Sequence, residues 1–192
     1  MEVANLFIRI IEAIIWPVTV LIIILIFRQQ FKRALLTLSK LRIKDIEVEF
    51  DKNLKDAENK AEELQIVYPE EIRKIPEPLE LTSLYERLLE ITKISPRAAI
   101  TEAWRTIELY TMQAANAQGI TVGGAIAGKK TIRKLIDKGK LEEGVIHLYE
   151  NLRSMRNKAA HAQEFEIDSA EAARYVDIAL SITNLLRKLG NS

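Results

Sequence analysis

Cysteine is absent from the 192-residue chain, and histidine occurs only twice, at His147 and His161. Disulfides, thiolate metal sites and cysteine nucleophiles are thereby excluded, and two imidazoles cannot build a multi-histidine zinc cluster. Lack of cysteine agrees with a reducing compartment without assigning one. Net charge is nearly absent as well, at +1, so no global field draws the chain to nucleic acid and such binding would need a local patch. No cofactor is expected. With 29% charged and 48% hydrophobic residues, the composition is not that of a disordered protein, and the length accommodates one globular domain with appendages.

Where charge disappears altogether, residues 13–27 read AIIWPVTVLIIILIF. As a helix this strict run spans about 22 Å, and a start at Leu6 extends it to roughly 33 Å, enough for the hydrocarbon core of a bilayer. Arg9 and Glu12, three apart, share a helix face near the outer end, where they can pair or snorkel. Pro17 removes one backbone donor, which membrane helices tolerate. Arg28, Lys32, Arg33, Lys40, Arg42 and Lys44 follow the run and only Arg9 precedes it. The positive-inside rule therefore predicts a single-pass segment in the cell (inner) membrane, with the N-terminus outside and the rest cytoplasmic. Membrane lipid is the first expected partner. A cleaved signal peptide fits less well, because no basic n-region opens the chain and no small-x-small site follows Phe27.

Residues 1–30 are thus read as the anchor and 31–78 as a juxtamembrane and linker region. Phe31, Ala34, Leu35, Leu38 and Leu41 recur at helical spacing. In Asp45–Phe50, Ile46, Val48 and Phe50 alternate with acidic residues, which predicts a short strand. One strand alone is unstable, so pairing with a second copy follows as an expectation. Leu54, Ala57, Ala61 and Leu64 make a thin heptad-like seam, read as a solvated spacer helix. Pro69, Pro76 and Pro78 mark a linker and a domain boundary.

Residues 79–192 read as an all-α bundle. A helix is predicted from about Leu79 to Thr92, and Ser95-Pro96 opens a second that runs to about Ala117. Trp104, Ile107, Leu109 and Met112 are expected in the core. After the glycine-rich loop Gly119–Gly128, helices are predicted over Lys129–Lys138 and Leu141–Ala162. Asp168-Ser-Ala-Glu171 is a capping box opening a last helix that ends before Gly190, with Ala172, Tyr175, Val176, Ala179, Ile182 and Leu186 facing inward.

Residues 123–131 approach a phosphate-binding P-loop, but Lys130 stands where serine or threonine must hold magnesium, and no strand precedes the loop. Lys129, Lys130, Arg133 and Lys134, with Lys138 and Lys140, form a cationic cluster that could contact phosphate or anionic lipid. No aromatic is interleaved to stack on bases, and a solvated helix face is the plainer reading.

The fourth bundle helix ends in Arg156-Asn157-Lys158-Ala159-Ala160-His161. Here the chain resembles the HEPN superfamily, whose motif is an arginine, usually followed by a polar residue, four to six positions before a histidine. The likeness covers about Leu79 to Leu189. It implies an RNA partner and metal-independent cleavage, with His161 moving a proton or contacting phosphate, Arg156 stabilising charge on the scissile phosphate and Asn157 orienting both. Its alternative implication is a non-catalytic binding module with an unknown protein partner. Imidazole and guanidinium suit the former chemistry. On one helix, however, Arg156 lies about 140° round from His161. Family members meet this by dimerising across the motif helices, so a homodimer is expected. His147 has no motif partner and is read as packing.

Overall fold

The computed structural model describes residues 2–66, 79–121, 128–161 and 166–191, with side chains of all but 2–11, 31–44 and 79–81 of these. Six helices lie among the described residues: α1 (Glu2–Glu63), α2 (Leu79–Ile94), α3 (Pro96–Ala117), α4 (Lys129–Asp137), α5 (Gly144–His161) and α6 (Ser169–Gly190). The proline linker at 69–78, most of the glycine-rich loop and residues 162–165 fall outside them. Two compact units divide the chain, Met1–Lys44 and Asp45–Ser192.

In the first unit, Glu12–Gln30 is long and apolar enough to cross a membrane, and none of it is buried in protein. Ile14, Trp16, Leu21 and Ile26 are all more than half exposed. A face that offers no protein partner for so much apolar surface suits lipid. Pro17 lies inside the helix, and Thr19 Oγ1 donates to the Ile15 carbonyl at 2.8 Å, keeping its hydroxyl satisfied within the apolar run.

The second unit begins earlier than the prolines suggest. Residues 45–50 are helical, not a strand. Ile46, Phe50 and Leu54 stand four apart and fall on one helix face, continued by Ala57 and Ala61. Phe50, Leu54 and Ala57 are fully buried, whereas Val48 is 61% exposed. The apparent alternation comes from two turns of an amphipathic helix whose third apolar residue points away. The reason to expect edge-to-edge pairing of two copies disappears with the strand. Nor is the following helix a solvated spacer, because alanines at 57 and 61 let it lie close against the bundle. Arg174 Nε and Nη2 reach both Glu58 carboxylate oxygens, at 2.7 and 2.6 Å, a forked geometry that fixes the helix laterally.

Elsewhere the helix signals hold to within a few residues. Ser95 Oγ accepts from the Ala98 amide with Pro96 in the first turn. Asp168 and Glu171 close the capping box in both directions. α1, α3 and α4 end alike: amides of Ile66, Ile120 and Lys140 reach back to carbonyls of Ala61, Ala115 and Leu135, across a left-handed Gln65, Gly119 or Gly139. This is the Schellman closure, in which glycine is the unstrained residue.

The most extensive helix pair is α3 with α6, and α3 also packs on α2, α4 and α5. Its buried face carries Ala99, Ala103, Ala114 and Ala115, and α6 contributes Ala172 and Ala179, so the axes can approach closely. Trp104 and Ile107 are in the core, but Leu109 is 46% exposed and Met112 half-buried, since they lie off the buried stripe. Buried Thr111 and Thr183 hydroxyls bond to the carbonyls four residues back, leaving no cost for burying them.

Because Leu54 is fully buried, Leu54→Ala should destabilise the second unit by roughly 2–4 kcal/mol, whereas Val48→Ala should change it by less than about 0.5 kcal/mol. Denaturant unfolding of the full chain in nanodiscs, followed by tryptophan fluorescence, reads both; equal small effects would return this segment to solvent.

Candidate functional site

α5 carries the Arg156–His161 motif, and two hydrogen bonds and one ion pair hold its second half. Arg97 Nη1 of α3 donates to the Ala159 carbonyl at 2.5 Å, placing a cation at the helix C-terminus, where unpaired carbonyls and the dipole favour it. Lys158 Nζ lies 2.7 Å from Glu49 Oε1 of α1. Tyr175 of α6 donates its hydroxyl to the Leu152 carbonyl at 3.2 Å. Neither Arg97 nor Glu49 is marked by the motif; Glu49 is hidden in the stretch whose alternation suggests a strand.

Arg156 is half-buried. Its Nη1 donates to Asn157 Oδ1 at 3.0 Å, and its Nε is buried without a hydrogen-bond partner. The guanidinium acts on two interior phenols. Burial pushes Tyr149 up to about 12, with Glu108 adding to the rise and Arg153 and Arg156 opposing it. Tyr175, fully buried, is raised well above its ordinary value, again by desolvation first and against Arg156. Tyr149 also stacks at an angle on Trp104, centroids 4.9 Å apart. The charge of Arg156 therefore acts on both phenols from close by.

His161 is exposed as the final residue of α5. Among the described residues it makes no hydrogen bond or ion pair with Arg156 or Asn157. The structure thus joins Arg156 to Asn157 and leaves His161 apart; the helical angle separates it from Arg156, though not from Asn157, four residues back on the same face. Glu150, earlier on α5, pairs with Lys129. His147 is exposed and does not pack.

The cationic cluster is partly spent within the fold. Besides the Lys129–Glu150 pair, Arg133 Nη1 contacts both oxygens of Glu143 at 2.6 and 2.8 Å. Lys134 and Lys138 donate to the Thr121 and Gln118 carbonyls at 3.3 and 2.9 Å. Lys130 is exposed and makes no such bond among the described residues. Lys134 and Lys138 thereby brace the Gln118–Thr121 turn. No group of three histidine, aspartate or glutamate side chains gathers to hold a metal among the described residues.

Comparison of the chain with protein-family models, curated proteins and solved structures finds no match.

The phenols give a pH signature. Each is neutral in the fold and ionises more easily when unfolded, so their contribution is complete below about pH 10. It is lost as pH rises toward 12, the value Tyr149 reaches in the folded chain. Stability should fall across that window by roughly 2–3 kcal/mol on account of Tyr149. Tyr149→Phe should flatten the fall in urea midpoints measured from pH 9 to 11.5; an unchanged slope would place the phenol in water.

Proposed function

We propose that this chain is a membrane-tethered, HEPN-like helical module that binds a partner at the cytoplasmic face and does not by itself catalyse a reaction. The observation that carries the reading is the division of the motif: Arg156 is engaged by Asn157 with its Nε in the interior, and His161 is exposed and separate. A general acid–base pair acting on one phosphate needs both groups converging within hydrogen-bond reach. In one chain, this arginine serves the helix packing first.

The apolar Glu12–Gln30 segment supports the tether. The lysines and arginines that follow it support an outside N-terminus and a cytoplasmic domain at the cell membrane. A membrane-impermeant label applied to intact cells should reach a cysteine introduced before Leu6 and spare one introduced after Asn191. The reverse pattern would invert the topology.

A second reading, metal-independent RNA cleavage by a homodimer, is favoured by one feature: His161 is accessible at a helix end, where a second copy's motif helix could complete a composite site. Full-length protein in nanodiscs, incubated with mixed single-stranded RNAs in EDTA, separates the two. We expect no cleavage. We also expect Arg156→Ala to cost about 1–3 kcal/mol of stability and His161→Ala less than about 0.5 kcal/mol. Cleavage lost in both variants while both stay folded would overturn the binding reading.

A further inference from the structure

α6 presents Ser181, Asn184, Leu185 and Lys188 along one face, at the spacing of successive turns. They line a cavity of about 330 Å³, closed opposite by Leu64 and Ile66 at the end of α1 and by Leu141 and Val145 around the start of α5. That volume lies at the small end of the range for ligand sites, about 300–1,000 Å³. Leu64, Ile66, Leu141, Val145 and Leu185 give it an aliphatic part, and Gln65, Lys140, Glu142, Ser181, Asn184 and Lys188 a polar part of similar extent.

Asn184 is the informative one. It is 2% exposed, its Oδ1 accepts from Arg187 Nη2 at 3.2 Å, and its Nδ2 makes no hydrogen bond among the described residues. Since Asn184 lines the cavity, its unengaged amide donor is available to an acceptor there. Ser181 Oγ already donates to the Asp177 carbonyl at 2.8 Å, so it offers a lone pair, not a proton. Lys140 and Lys188 stand at the exposed rim with Glu142, leaving the rim net cationic.

The geometry points to this cavity as a binding site for a small amphipathic carboxylate: the aliphatic tail lies against Leu64, Ile66, Leu141 and Val145, and the carboxylate accepts from Asn184 Nδ2 beneath Lys140 and Lys188. A neutral amphiphile leaves the lysines unanswered, and a bare anion leaves the aliphatic wall wet. The site is independent of the Arg156–His161 motif and of any reading of it.

The probe is octanoate bearing a terminal diazirine, photolysed with the full chain in phosphatidylcholine nanodiscs and mapped by peptide mass spectrometry. Saturable labelling is expected in peptides covering Leu141–Val145 and Ser181–Lys188, displaced by octanoate but neither by octanol nor by inorganic phosphate at equal concentration. Asn184→Leu should weaken it by about tenfold or more and Lys188→Ala by about threefold. Leu185→Trp, which fills the cavity without removing a buried polar group, should abolish it even if Asn184→Leu fails to fold. Labelling that is not saturable at these peptides, that octanol or phosphate displaces equally, or that persists in folded Leu185→Trp protein overturns the proposal.

Discussion

The second unit depends on the burial of α6 around nearly its whole circumference. From Ile178 to Asn184 seven consecutive residues are buried, which no single-sided packing can achieve, because successive residues point in directions about 100° apart. α3 and α2 cover part of this surface. The Asp45–Ile66 stretch is tied to α6 by the Arg174–Glu58 fork and shares its core through Phe50, Leu54 and Ala57. Were the domain to start at Leu79, α6 would expose part of this circumference to water.

This constraint also decides how the motif helix is held. Tyr175 reaches from α6 to the Leu152 carbonyl, and α5 packs on α3. Its last turn is tied to α3 by Arg97 and to α1 by Lys158–Glu49. With α5 fixed in rotation, Arg156 must face the Tyr149 and Tyr175 phenols and His161 must leave toward solvent. A side chain already required by the packing is less free to follow a reacting phosphate, which is why the binding reading stands ahead of the catalytic one.

Much of the bundle was legible because its signals are local. Ser95-Pro96 and the Asp168–Glu171 box announce helix starts through hydrogen bonds made within three residues, and the inward face of α6 follows from period alone. Residues 45–50 resemble a strand because alternation over six residues fits two periods, and only the continuation through Leu54 and Ala57 selects the helical one. The alanines at 57 and 61 look like a weak seam; their small size is what permits close approach. At the candidate site the sequence placed the residues but not their orientations. Arg156 bonds to its immediate neighbour Asn157, whereas the pairing of Glu49 with Lys158 depends on a contact between segments far apart in the chain.

The bundle requires Asp45–Ile66 as an integral wall, and hydrogen exchange of the full chain in nanodiscs tests that most directly. Amides from Leu54 to Ala61 are predicted to exchange only through the same opening that releases Ile178–Asn184, with protection rising and falling together in increasing urea. Exchange of Leu54–Ala61 as a separately fraying helix, while α6 stays protected, would contradict it.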